Sequence, residues 1–123
     1  MKIIKTTQAP QPIGPYSQGI EINGFLFLSG QIGLKPDTSE MAEGLAQQTH
    51  QILKNISKLL ESEGCNLSNI VKSTVYLRNM NDFAQFNQIY SEYFRDNPPA
   101  RTVVEVSALP RNALIEIDIV AHK

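Results

Sequence analysis

Arg101 opens one β-type segment near the end of the chain, and Glu116 lies in the next. Their chemistry suits a small acid. An arginine fork matches a carboxylate in bidentate fashion, and a glutamate can hold or activate a water molecule. If the two segments pair like a hairpin, both side chains project from one face. The same two residues could equally make a surface or interface salt bridge, which is the commoner role of opposite charges on a sheet.

Other chemistries find less support. His50 and His122 are the only histidines, and neither has a cysteine, histidine or carboxylate at a metal-ligand spacing, so no metal site is expected. Gly14-Pro15-Tyr16-Ser17-Gln18-Gly19 lacks the lysine and the glycine pattern of a phosphate loop. Gly30-Gln31-Ile32-Gly33 matches a nucleic-acid GxxG in letters but has no basic neighbours. Nothing pairs a serine or cysteine nucleophile with a histidine.

The net charge of −1 and the absence of a basic run argue against nucleic acid as a partner. No segment approaches the ~20 apolar residues that span a bilayer, so no membrane partner is expected either. With one cysteine, Cys65, no internal disulfide can form. Met1–Thr6 carries no apolar stretch of signal-peptide length, and the expected location is cytoplasmic. At 123 residues, 41% hydrophobic and 19% charged, residues 1–123 are expected to form a single folded domain.

Periodicity gives the strands and helices that carry these residues. Residues 2–5 form a short β-type run, and Pro10, Pro12 and Pro15 keep the next segment extended and irregular. Residues 18–22 and 25–29 flank Asn23-Gly24, the pair favoured in a tight hairpin turn. Leu45, Ile52, Ile56, Leu59 and Leu60 form one apolar helical stripe that Gly64 closes. Val71–Arg78 reads as a strand with Val71, Ser73, Val75 and Leu77 on one face. A second helix starts near Asn81 or Asp82, carries Phe83, Phe86, Tyr90 and Tyr93, and stops at Asn97-Pro98-Pro99.

Strands over 101–108 and 114–121 complete the chain. In the last, Ile115, Ile117, Ile119 and Ala121 oppose Glu116, Asp118 and Val120. The order predicts an α+β fold, a mixed sheet with both helices on one face. The other face, expected to carry Val103, Val120 and an alternate set from residues 25–29, is too apolar for full solvation. Either a second subunit covers it or the chain is a monomer with a patchy surface.

Ordered motifs narrow these alternatives. Ile13-Gly14-Pro15-Tyr16-Ser17-Gln18-Gly19, Leu28-Ser29-Gly30-Gln31, Asp82-Phe83-Ala84-Gln85-Phe86-Asn87, Pro99-Ala100-Arg101-Thr102-Val103-Val104-Glu105-Val106, Leu109-Pro110 and Ile115-Glu116-Ile117-Asp118 occur in sequence. Together they resemble the reactive intermediate deaminase (Rid, YjgF-type) family over about residues 3–121. The resemblance implies a chorismate-mutase-like α+β fold and a homotrimer with a central barrel. It implies hydrolysis of 2-aminoacrylate- and 2-aminocrotonate-type enamines and imines to 2-keto acids and ammonia, with no cofactor. Three sites would lie in clefts between subunits.

By the same resemblance Arg101 holds the substrate carboxylate and Glu116 positions water. Tyr16 and Ser29 orient substrate or water, Asn87 lies near the cleft, and backbone groups at Gly30 and Gln31 contribute. One departure stands out: the best-known members carry cysteine where this chain has Val103, so no thiol chemistry is available there. A non-catalytic trimer that binds a small acid and regulates a partner is the alternative. A ribonuclease role suits the acidic pI of 6.1 least.

Overall fold

The turn at Asn23-Gly24 sets the first ladder of the sheet. Both residues take positive φ, 52° and 81°, the geometry that lets a two-residue turn follow the strand twist. In the computed structural model, which describes residues 1–123, this turn joins β2 (Gly19–Ile22) to β3 (Phe25–Gln31). β1 (Lys2–Ile4) adds to the outer edge of β2. The remaining elements are α1 (Gly44–Glu61), β4 (Ile70–Leu77), α2 (Phe83–Tyr93), β5 (Ala100–Glu105) and β6 (Ile115–His122).

One six-stranded mixed sheet results, in the order β1-β2-β3-β6-β4-β5. Only β4 and β5 run parallel; every other pair is antiparallel. The final strand is inserted between β3 and β4, so β5 and β6 never pair with each other. This overturns the hairpin-like pairing expected of the two C-terminal segments. The parallel β4–β5 pair needs a crossover, and α2 provides it.

Both helices cover one face of the sheet. The buried stripe of α1, including Ile52, Ile56, Leu59 and Leu60, meets Leu26, Leu28, Val75, Leu77, Ile115 and Ile117 in a single core. Gly33 lets the loop after β3 lie against α1, because a Cβ there would stand 2.8 Å from the Gln48 Cα. Gly64, at φ 73°, turns the chain after α1, and the Cys65 N–H donates back to the Leu60 carbonyl at 2.9 Å. On α2, Phe86 and Tyr90 are buried. The Tyr90 hydroxyl bonds to the buried Ser73 hydroxyl at 2.7 Å, tying α2 to β4. The helix stops at Tyr93, before the prolines expected to end it.

The opposite face is open and largely apolar. Ile3, Ile20, Phe27 and Val120 stand in register across four strands, with Ile22 and Phe25 in the next row. Phe27 is 45% exposed and Ile3 49%. Two expected members of the strand faces are corrected. Val103 packs toward the helices and Val104 takes the open side, because residues opposite one another share a face and Val103 pairs with buried Val75. Val71 leaves the buried face of β4 because the register shifts between Ile70 and Lys72. No helix is long and apolar enough to cross a membrane.

Replacing Tyr90 with Phe leaves the Ser73 hydroxyl buried without its partner. The expected cost is about 1–3 kcal/mol, read in urea as a lower midpoint at unchanged slope. An unchanged midpoint would show that the α2–β4 tie contributes nothing.

Candidate active site

Arg101 lies at the start of edge strand β5, opposite Ser73 of β4 and beneath α2. Helical spacing brings Phe83, Phe86, Asn87 and Tyr90 onto the surface that meets it. Its guanidinium carbon stands 4.9 Å from the Tyr90 ring centre and 5.5 Å from that of Phe86. Arg101 Nη1 donates to Asn87 Oδ1 at 2.8 Å. The aromatic faces and the amide fix the fork without neutralising it, since the chain's ion pairs use other groups.

Glu116 sits elsewhere. It shares a cavity of about 510 Å³ with Tyr16, Ser29, Gly30, Gln31 and Arg111, walled in part by Pro10 and Ile13 of the Pro-rich loop. The loop is pinned by Gln18, whose buried amide accepts from the Thr6 N–H at 2.8 Å and donates to the Pro10 carbonyl at 2.9 Å. Ser29 Oγ donates to the Ser17 carbonyl at 2.6 Å, and the Tyr16 hydroxyl accepts from the Ile13 N–H at 3.3 Å. Gln31 turns its side chain inward, where Nε2 donates to the Ser29 carbonyl at 3.3 Å.

A bulge shapes the floor of this cavity. Leu28 pairs with Ile119 and Gln31 with Ile117, so Ser29 and Gly30 together oppose one residue of β6. A Cβ on Gly30 would lie 2.8 Å from Glu116 Oε2 and 3.0 Å from its Cδ. Glycine therefore lets the carboxyl rest against the backbone. Burial raises the Glu116 pKa above the usual glutamate range, and the charge of Asp118, two residues along on the same face, raises it further. Asp118 is itself held by the Tyr76 hydroxyl at 2.9 Å.

The structure thus brings Tyr16, Ser29, Gly30, Gln31 and Glu116 together and leaves Arg101 with Asn87 at a second place. Ser73 pairs with Arg101 and Tyr76 with Glu116, three positions apart along β4. Three positions reverse the face and span roughly 10 Å along the strand. Within one chain Arg101 and Glu116 do not share a pocket, contrary to the same-face expectation. Sequence reading missed Arg111 and Gln18. Arg111 lies in a loop with no periodic signal; Gln18 could have been suspected as a polar residue beside a segment short of backbone partners. His50, one of the two histidines, is half-buried on α1 and its Nδ1 lies 2.6 Å from the Tyr93 hydroxyl.

The chain is thus an α+β protein that holds a glutamate-floored cavity beside a sheet bulge and, apart from it, an unneutralised arginine at the sheet edge. The sequence family described as "Endoribonuclease L-PSP" matches residues 6–123. A RutC family protein, PH0854, of Pyrococcus horikoshii is 50% identical over 99% of this chain and 98% of its own. The 2-iminobutanoate/2-iminopropanoate deaminase of Mus musculus is 43% identical over 98% of this chain and 90% of its own. The crystal structure of RidA from an Antarctic Psychrobacter superimposes with a TM-score of 0.98, at 34% identity and full coverage of both chains. The chain belongs to this family, the Rid (YjgF-type) family that its motifs resemble.

Two substitutions test the glutamate's surroundings. A raised carboxyl pKa means the folded chain binds the proton more tightly than the unfolded one, so stability falls as pH rises from the unfolded value through the folded one. Glu116→Gln is therefore expected to raise Tm at neutral pH, with the gain vanishing below about pH 4. A lower Tm at neutral pH would contradict the burial argument. Gly30→Ala displaces only the end of a flexible side chain, so Tm should stay near wild type while the Glu116 titration, followed by carboxyl NMR, moves. An unmoved titration would contradict the close approach.

Proposed function

We propose that the protein is a hydrolytic deaminase that converts small 2-imino acids of the 2-iminobutanoate and 2-iminopropanoate type, with their enamine tautomers, to 2-keto acids and ammonia. The observation that carries this reading is the half-buried Glu116 with its raised pKa, at the floor of a cavity that Gly30 keeps open. A raised pKa makes the ionised carboxyl a stronger base toward the attacking water. The kinship with the mouse deaminase supports the same reaction class.

The reaction balances with this chain's own groups. Protonation of the enamine carbon gives the iminium, which is the N-protonated imine, and its C=N carbon is the electrophile. The water oxygen bonds to that carbon while Glu116 takes the water proton. Glu116 returns that proton to the nitrogen, the carbon–nitrogen bond breaks and ammonia leaves, and the remaining hydroxyl proton passes to Glu116 as the carbonyl forms. Arg101 binds the substrate carboxylate and Asn87 holds the fork in place, so the carbon is fixed beside the water. Tyr16 and Ser29 orient water and substrate at the mouth, and the backbone at Gly30 and Gln31 lines the floor.

Arg101 and Glu116 meet only if they come from different copies. We therefore place the site in a cleft between subunits of a homotrimer with a central barrel, assembled through the open apolar face by a 1–123 domain acting in the cytoplasm. The row Ile3, Ile20, Phe27 and Val120 is the surface that such packing would take from water.

A coupled assay tests the reading. A serine or threonine dehydratase generates the enamine, and 2-keto acid release is followed with wild type, Arg101→Ala and Glu116→Gln. Acceleration by wild type, reduced at least about 100-fold by either change, is expected. No acceleration above the spontaneous rate would leave a binding protein for small acids instead.

A further inference from the structure

The cavity that holds Glu116 carries a second guanidinium that the reaction above does not use. Arg111 follows Pro110 in the turn between β5 and β6, where Arg111 and Asn112 take φ of 54° and 59°. Consecutive left-handed residues that are not glycine persist only where the surroundings hold them. Here the Asn112 N–H donates to the Leu109 carbonyl at 3.2 Å and the Ala113 N–H to the Pro110 carbonyl at 3.1 Å. Arg78 Nη1 donates to the Asn112 carbonyl at 2.9 Å, and the Leu114 N–H to Gln48 Oε1 at 2.9 Å. The braced turn fixes where Arg111 projects.

At the exposed rim of the cavity Arg111 Nη1 donates to the Ser39 carbonyl at 3.1 Å. That is one bond from a group with several N–H donors. None of the chain's ion pairs uses Arg111. Glu116 lines the same cavity but makes no ion pair with it. A tethered, uncompensated fork thus stands over a cavity whose Ile13, Ile32 and Leu34 suit a short methylene stem. A fork of this kind is the geometry that recognises a planar anion.

We propose that Arg111 is a specificity-determining residue that receives a second carboxylate on the substrate side chain. The site then favours 2-imino dicarboxylic acids and their 2-keto products over alkyl counterparts. In its catalytic part this rests on the deaminase reading; the binding subsite stands without it. Arg101 of a neighbouring copy takes the carboxylate next to the imine, and Arg111 takes the one at the far end. Arg111 also offsets the repulsion that a dianion would meet from ionised Glu116.

Calorimetric titration of the intact protein with 2-oxoglutarate and with 2-oxobutanoate tests it, using wild type, Arg111→Ala and Arg111→Lys. Wild type is expected to bind 2-oxoglutarate more tightly. The ratio of the two Kd values should fall about tenfold in Arg111→Ala and less in Arg111→Lys, which keeps the charge but loses the fork. An unchanged ratio, or equal weakening of both ligands, overturns the proposal. The same ratio in kcat/KM, with the two imines made by amino-acid oxidases, gives a second reading. If wild type shows the binding preference but accelerates neither imine, the deaminase reading fails and the dicarboxylate subsite stands.

Discussion

Side chains on a pleated sheet alternate between its faces, and residues paired across strands share one. The register of β4 with its two neighbours therefore decides where Arg101 and Glu116 point. Arg101 follows Ser73 toward the helices, while Glu116 follows Tyr76 to the open face. With β6 inserted between β3 and β4, its register on β4 puts Glu116 on the face away from Arg101. The same insertion puts Glu116 beside the bulge of β3 and leaves β5 as an edge strand with its arginine at the rim. In the proposed reaction each of these two places would supply what the other lacks.

The two halves are prepared in different ways. Arg101 is immobilised by the aromatic rings of α2 and one amide, with no carboxylate to neutralise it. Under the proposed function an incoming carboxylate would meet a fork already oriented, and less freedom would be lost on binding. Glu116 is tuned by its surroundings instead. Burial beside Gly30 and the neighbouring Asp118 both disfavour its charge, and the Tyr76 hydroxyl holds Asp118 in position. Tyr76 and Asp118 thus belong to the electrostatics of the cavity although neither lines it.

Local chemistry was readable in the sequence where a residue acts on its own neighbours. Asn23-Gly24 announces its turn, the stripe of α1 its buried side, and the alternation in 115–121 the two faces of β6. Strand order was not readable, because it rests on long-range pairing that leaves no mark in periodicity. That is why Arg101 and Glu116 were expected on one face. Val71 and Val103 were misplaced for a related reason: a one-residue register shift or a choice of partner exchanges faces without changing composition. Motif similarity located Tyr16, Ser29, Gly30, Gln31 and Glu116, which the fold does gather. Arg111 lay in a turn where only backbone geometry gives the side chain its direction.

If the proposed cleft takes Arg101 from one copy and Glu116 from another, mixing two inactive kinds of subunit should restore it. Arg101→Ala and Glu116→Gln chains, each inactive alone, are unfolded together in equal amounts, refolded and assayed for 2-keto acid release. A site shared between neighbours predicts that about a quarter of the clefts regain both residues, and the mixture recovers activity in that proportion. If the mixture stays as inactive as its components, while wild type treated the same way recovers, the two residues act within one chain and the account is wrong.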